Sequence, residues 1–202
     1  MLLFLIRHGE TDWVIEGRAQ GHTDIPLNGK GRWQAERLAV ALKGEPLDAV
    51  YSSPLSRALE TAKSIARYHH LEVAEEPHLQ ELDQGDLEGL TREDMKELYP
   101  QVLDQWAANP APLKMPGGES LEELQERAWE AIMRIFDSHP KGQVAAVTHS
   151  LALLSVICKA LGVPLSNVRR LRQSIAGISV LEVDLGGCAL LRFNDTSHLK
   201  ET

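Results

Sequence analysis

Cysteine is scarce in this sequence, which contains two, Cys158 and Cys188, among 202 residues. Both lie in apolar stretches, and neither belongs to a CxxC pair or to a Cys/His spacing typical of a metal site. Two isolated thiols cannot form the dense disulfide framework of a small secreted domain, so a packed core must stabilise the fold. We interpret both as buried free thiols and expect a reducing compartment.

Positive charge and long apolar runs are also lacking. Lysine and arginine number 21 against 29 acidic residues, which leaves a net charge of −8. This deficit argues against a nucleic-acid-binding protein, because such a protein displaces counterions with a basic face. The apolar stretches at residues 1–6 and 151–163 are shorter than the roughly 20 residues that span a bilayer, and no basic leader precedes the first. The sequence therefore predicts a cytoplasmic protein without membrane or nucleic-acid partners.

Short apolar runs alternate with longer segments of helical periodicity, which is typical of an α/β fold with a largely parallel sheet. Strands are predicted at residues 2–6, 48–52, 72–75, 143–148, 178–184 and 188–193. Helices are predicted at residues 35–42, 55–68, 121–136 and 151–161, with one or two short helices within residues 85–116. The last two strands flank Gly186-Gly187, so the final strand should run antiparallel to its neighbour.

Polar residues follow three of the predicted strands. Residues 2–6 run into Arg7 and His8, and residues 143–148 run into His149. Arg57 lies one helical turn beyond the strand at residues 48–52. Ligands of open α/β sheets bind at the carboxyl ends of the strands. Guanidinium groups match phosphate oxygens and an imidazole is a competent nucleophile, so the pattern suits phosphoryl transfer.

Three sequence strings carry a more specific signal: LIRHGETDW at residues 5–13, YSSPLSRALETA at 51–62 and VTHS at 147–150. They resemble the histidine phosphatase superfamily, in the branch that includes the cofactor-dependent phosphoglycerate mutases. The resemblance extends through residues 17–35, 78–89, 117–124 and 193–199. It implies a single histidine phosphatase domain over residues 1–202, with a lid segment at residues 85–116 over the active site. The implied phosphoglycerate mutase-like fold is a three-layer α/β/α sandwich with a mostly parallel sheet and one antiparallel edge strand.

The resemblance also implies the roles of five residues. His8 is the nucleophile that becomes a phosphohistidine. Arg7, Arg57 and His149 hold the phosphoryl oxygens. Glu81 is the proton donor that a departing alkoxide needs. We expect neither a metal nor another cofactor, since the sequence has no HExxH motif and no Asp/His cluster at ligand spacing.

Further substrate contacts are expected from the loop after His8, which has to cover a phosphate bound there. Its residues Arg18, Gln20 and Thr23 either line the substrate mouth or belong to an ordinary surface loop. The predicted substrate-binding residues are Arg7, Arg18, Gln20, Thr23, Arg57 and Ser150. Val14 departs from the family, in which an asparagine commonly follows the tryptophan, so one phosphate donor is missing or comes from elsewhere.

Charge in the lid segment distinguishes hydrolysis from mutase activity. A mutase holds a bisphosphate and needs a cationic cover, whereas residues 89–116 offer only Arg92, Lys96 and Lys114 beside several carboxylates. The sequence therefore predicts a metal-independent phosphoric monoester hydrolase of the histidine acid phosphatase type. Its expected partner is a small phosphorylated metabolite such as α-ribazole phosphate or phosphoserine, or a broad range of esters.

Two other functions are the alternatives to hydrolysis. One is a cofactor-dependent phosphoglycerate mutase, and the other is a non-catalytic sensor of phosphoryl ligands. The sensor is disfavoured because all five residues with implied roles are present. The physiological substrate stays open, as does the formation of a homodimer.

Overall fold

The computed structural model of the protein describes residues 1–200. Its strands are β1 Leu2–Arg7, β2 Ala49–Ser52, β3 Val73–Glu75, β4 Gln143–Thr148, β5 Ile178–Asp184 and β6 Gly187–Asp195. Its α-helices are α1 Asp12–Ile15, α2 Gly29–Leu42, α3 Ser56–His69, α4 Arg92–Leu98, α5 Pro100–Ala108, α6 Leu121–Ser138 and α7 Ser150–Ala160. Short 3-10 helices lie at Pro77–Leu79, Gly85–Leu87, Leu165–Arg170 and Ser197–Leu199.

The strands form one sheet in the order β3-β2-β4-β1-β5-β6. The first four of these neighbours pair in parallel, β5 runs antiparallel to β1, and β6 returns antiparallel to β5. The predicted fold class, a mostly parallel sheet with an antiparallel edge, is confirmed. The hairpin turn is displaced by one residue from Gly186-Gly187, because Asp184 pairs with Gly187 and leaves Leu185 and Gly186 in the turn.

Alternate residues of the central strand β1 enter two separate cores. Leu3 and Leu5 pack with α6 and α7 on one face, while Phe4 and Ile6 pack with α2 and α3 on the other. A strand that is buried on both faces reads as a continuous apolar run, because successive side chains point to opposite sides. The two cores make the three layers of an α/β/α sandwich.

The chain after β1 lies close against α2. A Cβ atom added at Gly9 would lie 2.5 Å from the carbonyl oxygen of Gly31, and one added at Gly31 would lie 2.1 Å from that of Glu10. Both distances are too short for real atoms, so glycine is required at each position for this approach. The contact fixes the loop that carries His8 against the start of α2.

Residues 85–116 contain the short helices α4 and α5. Met95 of α4, Trp106 of α5 and Tyr99 between the two helices pack against the core on the α6–α7 side of the sheet. Thr91 and Asp94 form a capping box at the start of α4. Among the helices of residues 1–200, none has the length and apolar character required to cross a membrane.

Candidate active site

The two central parallel strands bring the predicted histidines together. β1 and β4 are neighbours, and Arg7 pairs with Thr148 at their carboxyl ends. The backbone N–H of His8 donates to the carbonyl of Thr148 at 3.0 Å. The ring centroids of His8 and His149 are 5.0 Å apart. The sheet topology thus places both imidazoles at the edge where ligands of α/β sheets bind.

His8 presents one ring nitrogen that is free to react. Its Nδ1 lies 2.6 Å from the carbonyl oxygen of Gly9, and a carbonyl can only accept, so Nδ1 carries the proton and Nε2 keeps its lone pair. The side chain is buried. Burial, followed by the nearby charges of Arg57 and Arg7, holds the pKa of His8 well below its usual value. The imidazole is therefore neutral at pH 7, which is the form of a nucleophile.

Arg57 reaches the site from the first turn of α3. Its terminal nitrogens donate to the carbonyl oxygens of Thr23 at 2.9 Å and Gly21 at 2.8 Å. The carboxylate of Glu88 holds this loop in turn by accepting from the backbone N–H groups of His22 and Thr23, each at 2.7 Å. Burial is the main cause that lowers the pKa of Arg57.

Arg7 enters the same site from the end of β1. Its Nη1 donates to the carbonyl of Gln173 at 2.7 Å. Burial lowers the pKa of Arg7, and the charge of Glu81 opposes this shift. The buried Arg57 and the half-buried Arg7 both lie close to the carboxylate of Glu81, and Asp24 and Glu88 also act on the charge of Arg57.

His149 is fully buried behind His8. Its Nε2 lies 2.8 Å from Oγ of Ser53, and that hydroxyl also accepts from the N–H of Leu55 at 3.3 Å. When the hydroxyl donates to Nε2, the imidazole carries its proton on Nδ1. Burial and the charge of Arg57 hold the pKa of His149 well below its usual value.

Three buried side-chain nitrogens of the site have no hydrogen-bond partner among residues 1–200. They are Nε of Arg7, Nε of Arg57 and Nδ1 of His149. A buried polar group without a partner costs about 1–3 kcal/mol, so such groups are uncommon in native proteins unless they have a function. Each of them is a hydrogen-bond donor, since a guanidinium Nε carries a hydrogen and Nδ1 of His149 is protonated when Ser53 donates to Nε2.

The carboxyl group of Glu81 lies at the start of α7. Oε1 accepts from the backbone N–H groups of Leu82 at 2.9 Å and Ala152 at 3.1 Å, and Oε2 accepts from that of Leu151 at 3.2 Å. Its backbone carbonyl accepts from Nη2 of Arg127 at 2.7 Å and faces Nε2 of His22 at 2.9 Å. The loop that carries this carboxyl group is therefore held from both sides.

A cavity of about 370 Å³ lies in front of His8. Most predicted site residues line it: Arg7, His8, Arg18, Gln20, Arg57, Glu81 and Ser150. Two predicted residues, His149 and Thr23, are not among its lining residues. His149 is fully buried, and Thr23 bonds through its hydroxyl to Glu88 and through its carbonyl to Arg57. Val14 does line the cavity and brings no polar side-chain atom to it.

Sequence reasoning missed a second cavity of about 490 Å³. It shares Arg7, Ser150 and Leu151 with the first cavity, and its wall also contains Arg92, Arg169 and Arg172. Arg169 and Arg172 lie outside residues 89–116, the lid segment in which cations and carboxylates were compared. The signal that could have revealed them is the run RRLR at residues 169–172, a local excess of positive charge in an acidic chain.

The chain is similar to known proteins over almost its whole length. The family model described as "Histidine phosphatase superfamily (branch 1)" matches residues 3–196. Phosphoserine phosphatase 1 of Hydrogenobacter thermophilus is 35% identical over 199 residues, which cover 98% of this chain and 94% of that protein.

Two solved structures are also similar to the chain. Bacillus stearothermophilus YhfR is 34% identical, with a TM-score of 0.93 over 98% of this chain and 99% of the other. A phosphoserine phosphatase variant from Entamoeba histolytica, solved in complex with phosphoserine, is 30% identical, with a TM-score of 0.88 over 98% and 99% of the two chains.

Proposed function

Because this chain belongs to the histidine phosphatase superfamily, we propose that it is a metal-independent phosphomonoesterase that forms a phosphohistidine on His8. The observation that carries the proposal is the set of three unpartnered nitrogens, on Arg7, Arg57 and His149, beside a neutral imidazole with a free Nε2. A tetrahedral phosphoryl group has the oxygens to satisfy such donors. Relatives named as phosphoserine phosphatases support a phosphatase activity of this kind.

The residues around the cavity account for both half-reactions. In the first, Nε2 of His8 attacks phosphorus, the N–P bond forms, and the bond to the ester oxygen breaks. The carboxyl group of Glu81 gives its proton to the leaving oxygen. In the second, Glu81 takes a proton from water, which attacks phosphorus, and the N–P bond breaks to release inorganic phosphate. Arg7, Arg57 and His149 stabilise the phosphoryl oxygens throughout.

A phosphoglycerate mutase is the second candidate, and one observation favours it. Arg169 and Arg172 add positive charge beside the site. They lie outside residues 89–116, the segment whose cations were counted. Of the cations in that segment, only Arg92 lines the second cavity, while Lys114 pairs with Glu123 at 2.8 Å. We keep hydrolysis as the proposal because two of the three lid cations, Lys96 and Lys114, line neither cavity.

Trapping of the covalent intermediate tests the proposal directly. Brief mixing with a 32P-labelled phosphomonoester, with and without EDTA, should leave an acid-labile, base-stable label on His8. His8→Ala should lose both the label and turnover while keeping the fold intact, as judged by its circular dichroism spectrum. The matched control is His70→Asn, because His70 is exposed and has a φ of 56°, which asparagine adopts readily. Label on a serine or aspartate, turnover by His8→Ala, or loss of activity with EDTA would contradict the mechanism.

A further inference from the structure

Three arginines from two separate chain segments line the second cavity. Arg92 is the first residue of α4, whereas Arg169 lies in the 3-10 helix Leu165–Arg170 and Arg172 follows it. We call these three residues the arginine cluster. Within residues 1–200, no carboxylate lies within 4.0 Å of the charged nitrogens of any of them. In a chain with a net charge of −8, three unpaired cations around one cavity are a marked local excess.

Backbone carbonyls hold part of the arginine cluster in place. Nη1 of Arg169 donates to the carbonyl oxygen of Ala107 at 2.9 Å, near the end of α5. Nη1 of Arg172 donates to the carbonyl oxygens of Leu171, at 3.1 Å, and of Arg169. These bonds tie the guanidinium groups to the cavity wall without neutralising them.

The second cavity adjoins the proposed phosphoryl site on one side. Arg7 and Ser150 line both cavities, so a ligand whose phosphoryl group lies at His8 extends naturally towards the arginine cluster. Leu103, Trp106 and Leu154 add apolar surface to the second cavity. Such a surface suits a short organic body between two charged ends.

We propose that the arginine cluster binds a second anionic group on the leaving-group side of the substrate. The substrate is then a phosphomonoester of a small organic acid or of an alcohol that carries another phosphate. This inference rests on the proposed function for the identity of the first anion, at His8. Carboxylate and phosphate share the oxygen geometry that a guanidinium fork recognises.

Matched substrate pairs test the proposal. Phosphoserine and phosphoethanolamine differ by one carboxylate, and propane-1,3-diol bisphosphate and its monophosphate differ by one phosphate. The wild type should prefer the more anionic member of at least one pair in kcat/KM. The Arg169→Gln/Arg172→Gln double variant should reduce that preference about 10- to 100-fold, mainly through KM, since hydrogen bonds to charged groups are the stronger ones.

Two further variants separate an anion subsite from a structural role. Arg92→Gln alters the cluster from the other segment and should reduce the same preference without disturbing the carbonyl bonds of Arg169. The control is Arg170→Gln, an exposed arginine that lines neither cavity, and it should keep the wild-type preference. Selectivity lost for one pair alone supports the subsite and identifies its anion. Equal losses for both members of each pair would overturn the proposal.

Binding measurements keep this inference distinct from the proposed function. Titration calorimetry with phosphoserine and phosphoethanolamine measures the preference in the absence of turnover. If the wild type hydrolyses no ester but binds phosphoserine more tightly than the double variant does, the subsite stands and the phosphatase proposal fails. If it hydrolyses esters with no preference within either pair, the phosphatase proposal stands and the subsite fails.

Discussion

The buried neutral histidines predict a specific dependence of stability on pH. The pKa values of His8 and His149 are both well below the usual 6.5 in the folded protein, mainly because of burial. The folded state therefore binds fewer protons than the unfolded state once the pH falls below 6.5, and the free energy of unfolding decreases. Above pH 6.5 both states carry neutral imidazoles, and the effect vanishes.

The loss in free energy of unfolding depends on the pH alone as long as both histidines keep, in the folded protein, pKa values below the lowest pH that is measured. At pH 5.5, one unit below the usual value, each histidine costs about 1.4 kcal/mol of stability. At pH 7.5 the cost is about 0.1 kcal/mol or less for each. The pair should thus remove up to about 3 kcal/mol between pH 7.5 and 5.5, which is a large share of the roughly 5–15 kcal/mol that stabilises a domain.

Urea unfolding at the two pH values measures this loss. The wild type should lose more than the His8→Asn/His149→Asn double variant over the same interval, by up to about 3 kcal/mol. Losses from the carboxylates cancel in this comparison, since both proteins contain the same acidic residues. His70→Asn should behave like the wild type, because His70 is exposed. An equal loss in the wild type and the double variant would refute the inference that both imidazoles are held neutral.

Two further predictions concern the chemistry. Glu81→Gln should slow the hydrolysis of esters with poor leaving groups about 10²- to 10⁴-fold. It should slow the hydrolysis of p-nitrophenyl phosphate far less, because an activated leaving group hardly needs a proton. Equal losses on both kinds of ester would mean that another residue is the proton donor, with Asp83 and Glu88 the next to test. With 3-phosphoglycerate and catalytic 2,3-bisphosphoglycerate, the protein should release inorganic phosphate or catalyse no reaction. Formation of 2-phosphoglycerate faster than the release of phosphate would identify a mutase instead.

The fold could be predicted well because its signals are local. The strand at residues 2–6 reads as an uninterrupted apolar run, and the structure buries it on both faces as β1. The helix at residues 121–136 begins with the capping box of Ser120 and Glu123, which the structure contains. The four-residue helix α1 was not predicted. It is too short to show a periodic pattern, and Thr11 caps it through a side-chain bond to Val14.

The central residues of the site could be predicted for a similar reason. Arg7 ends a strand, His8 and His149 directly follow strands, and parallel strands bring their carboxyl ends to one side of the sheet. The loop contacts could not be predicted in this way. Thr23 was expected at the substrate mouth, but the carboxylate of Glu88, 65 residues away in the chain, binds its hydroxyl. Sequence spacing contains no information about which distant carboxylate a loop hydroxyl meets.

The phosphoryl group on His8 can pass to water, which is hydrolysis, or back to the bound leaving group, which we call return transfer. The choice between the two depends on charge around the cavity rather than along one segment. Salt screens exposed charges beyond about 8 Å at physiological ionic strength, so distant carboxylates do little to offset a guanidinium at the cavity wall. Arg169 and Arg172 are remote from Arg92 in sequence and meet it only at the second cavity. If they bind the leaving group, they also delay its departure after the N–P bond forms. Residues that select an acidic substrate therefore favour return transfer. For the protein to be a phosphatase, water has to attack the phosphohistidine faster than the bound leaving group does.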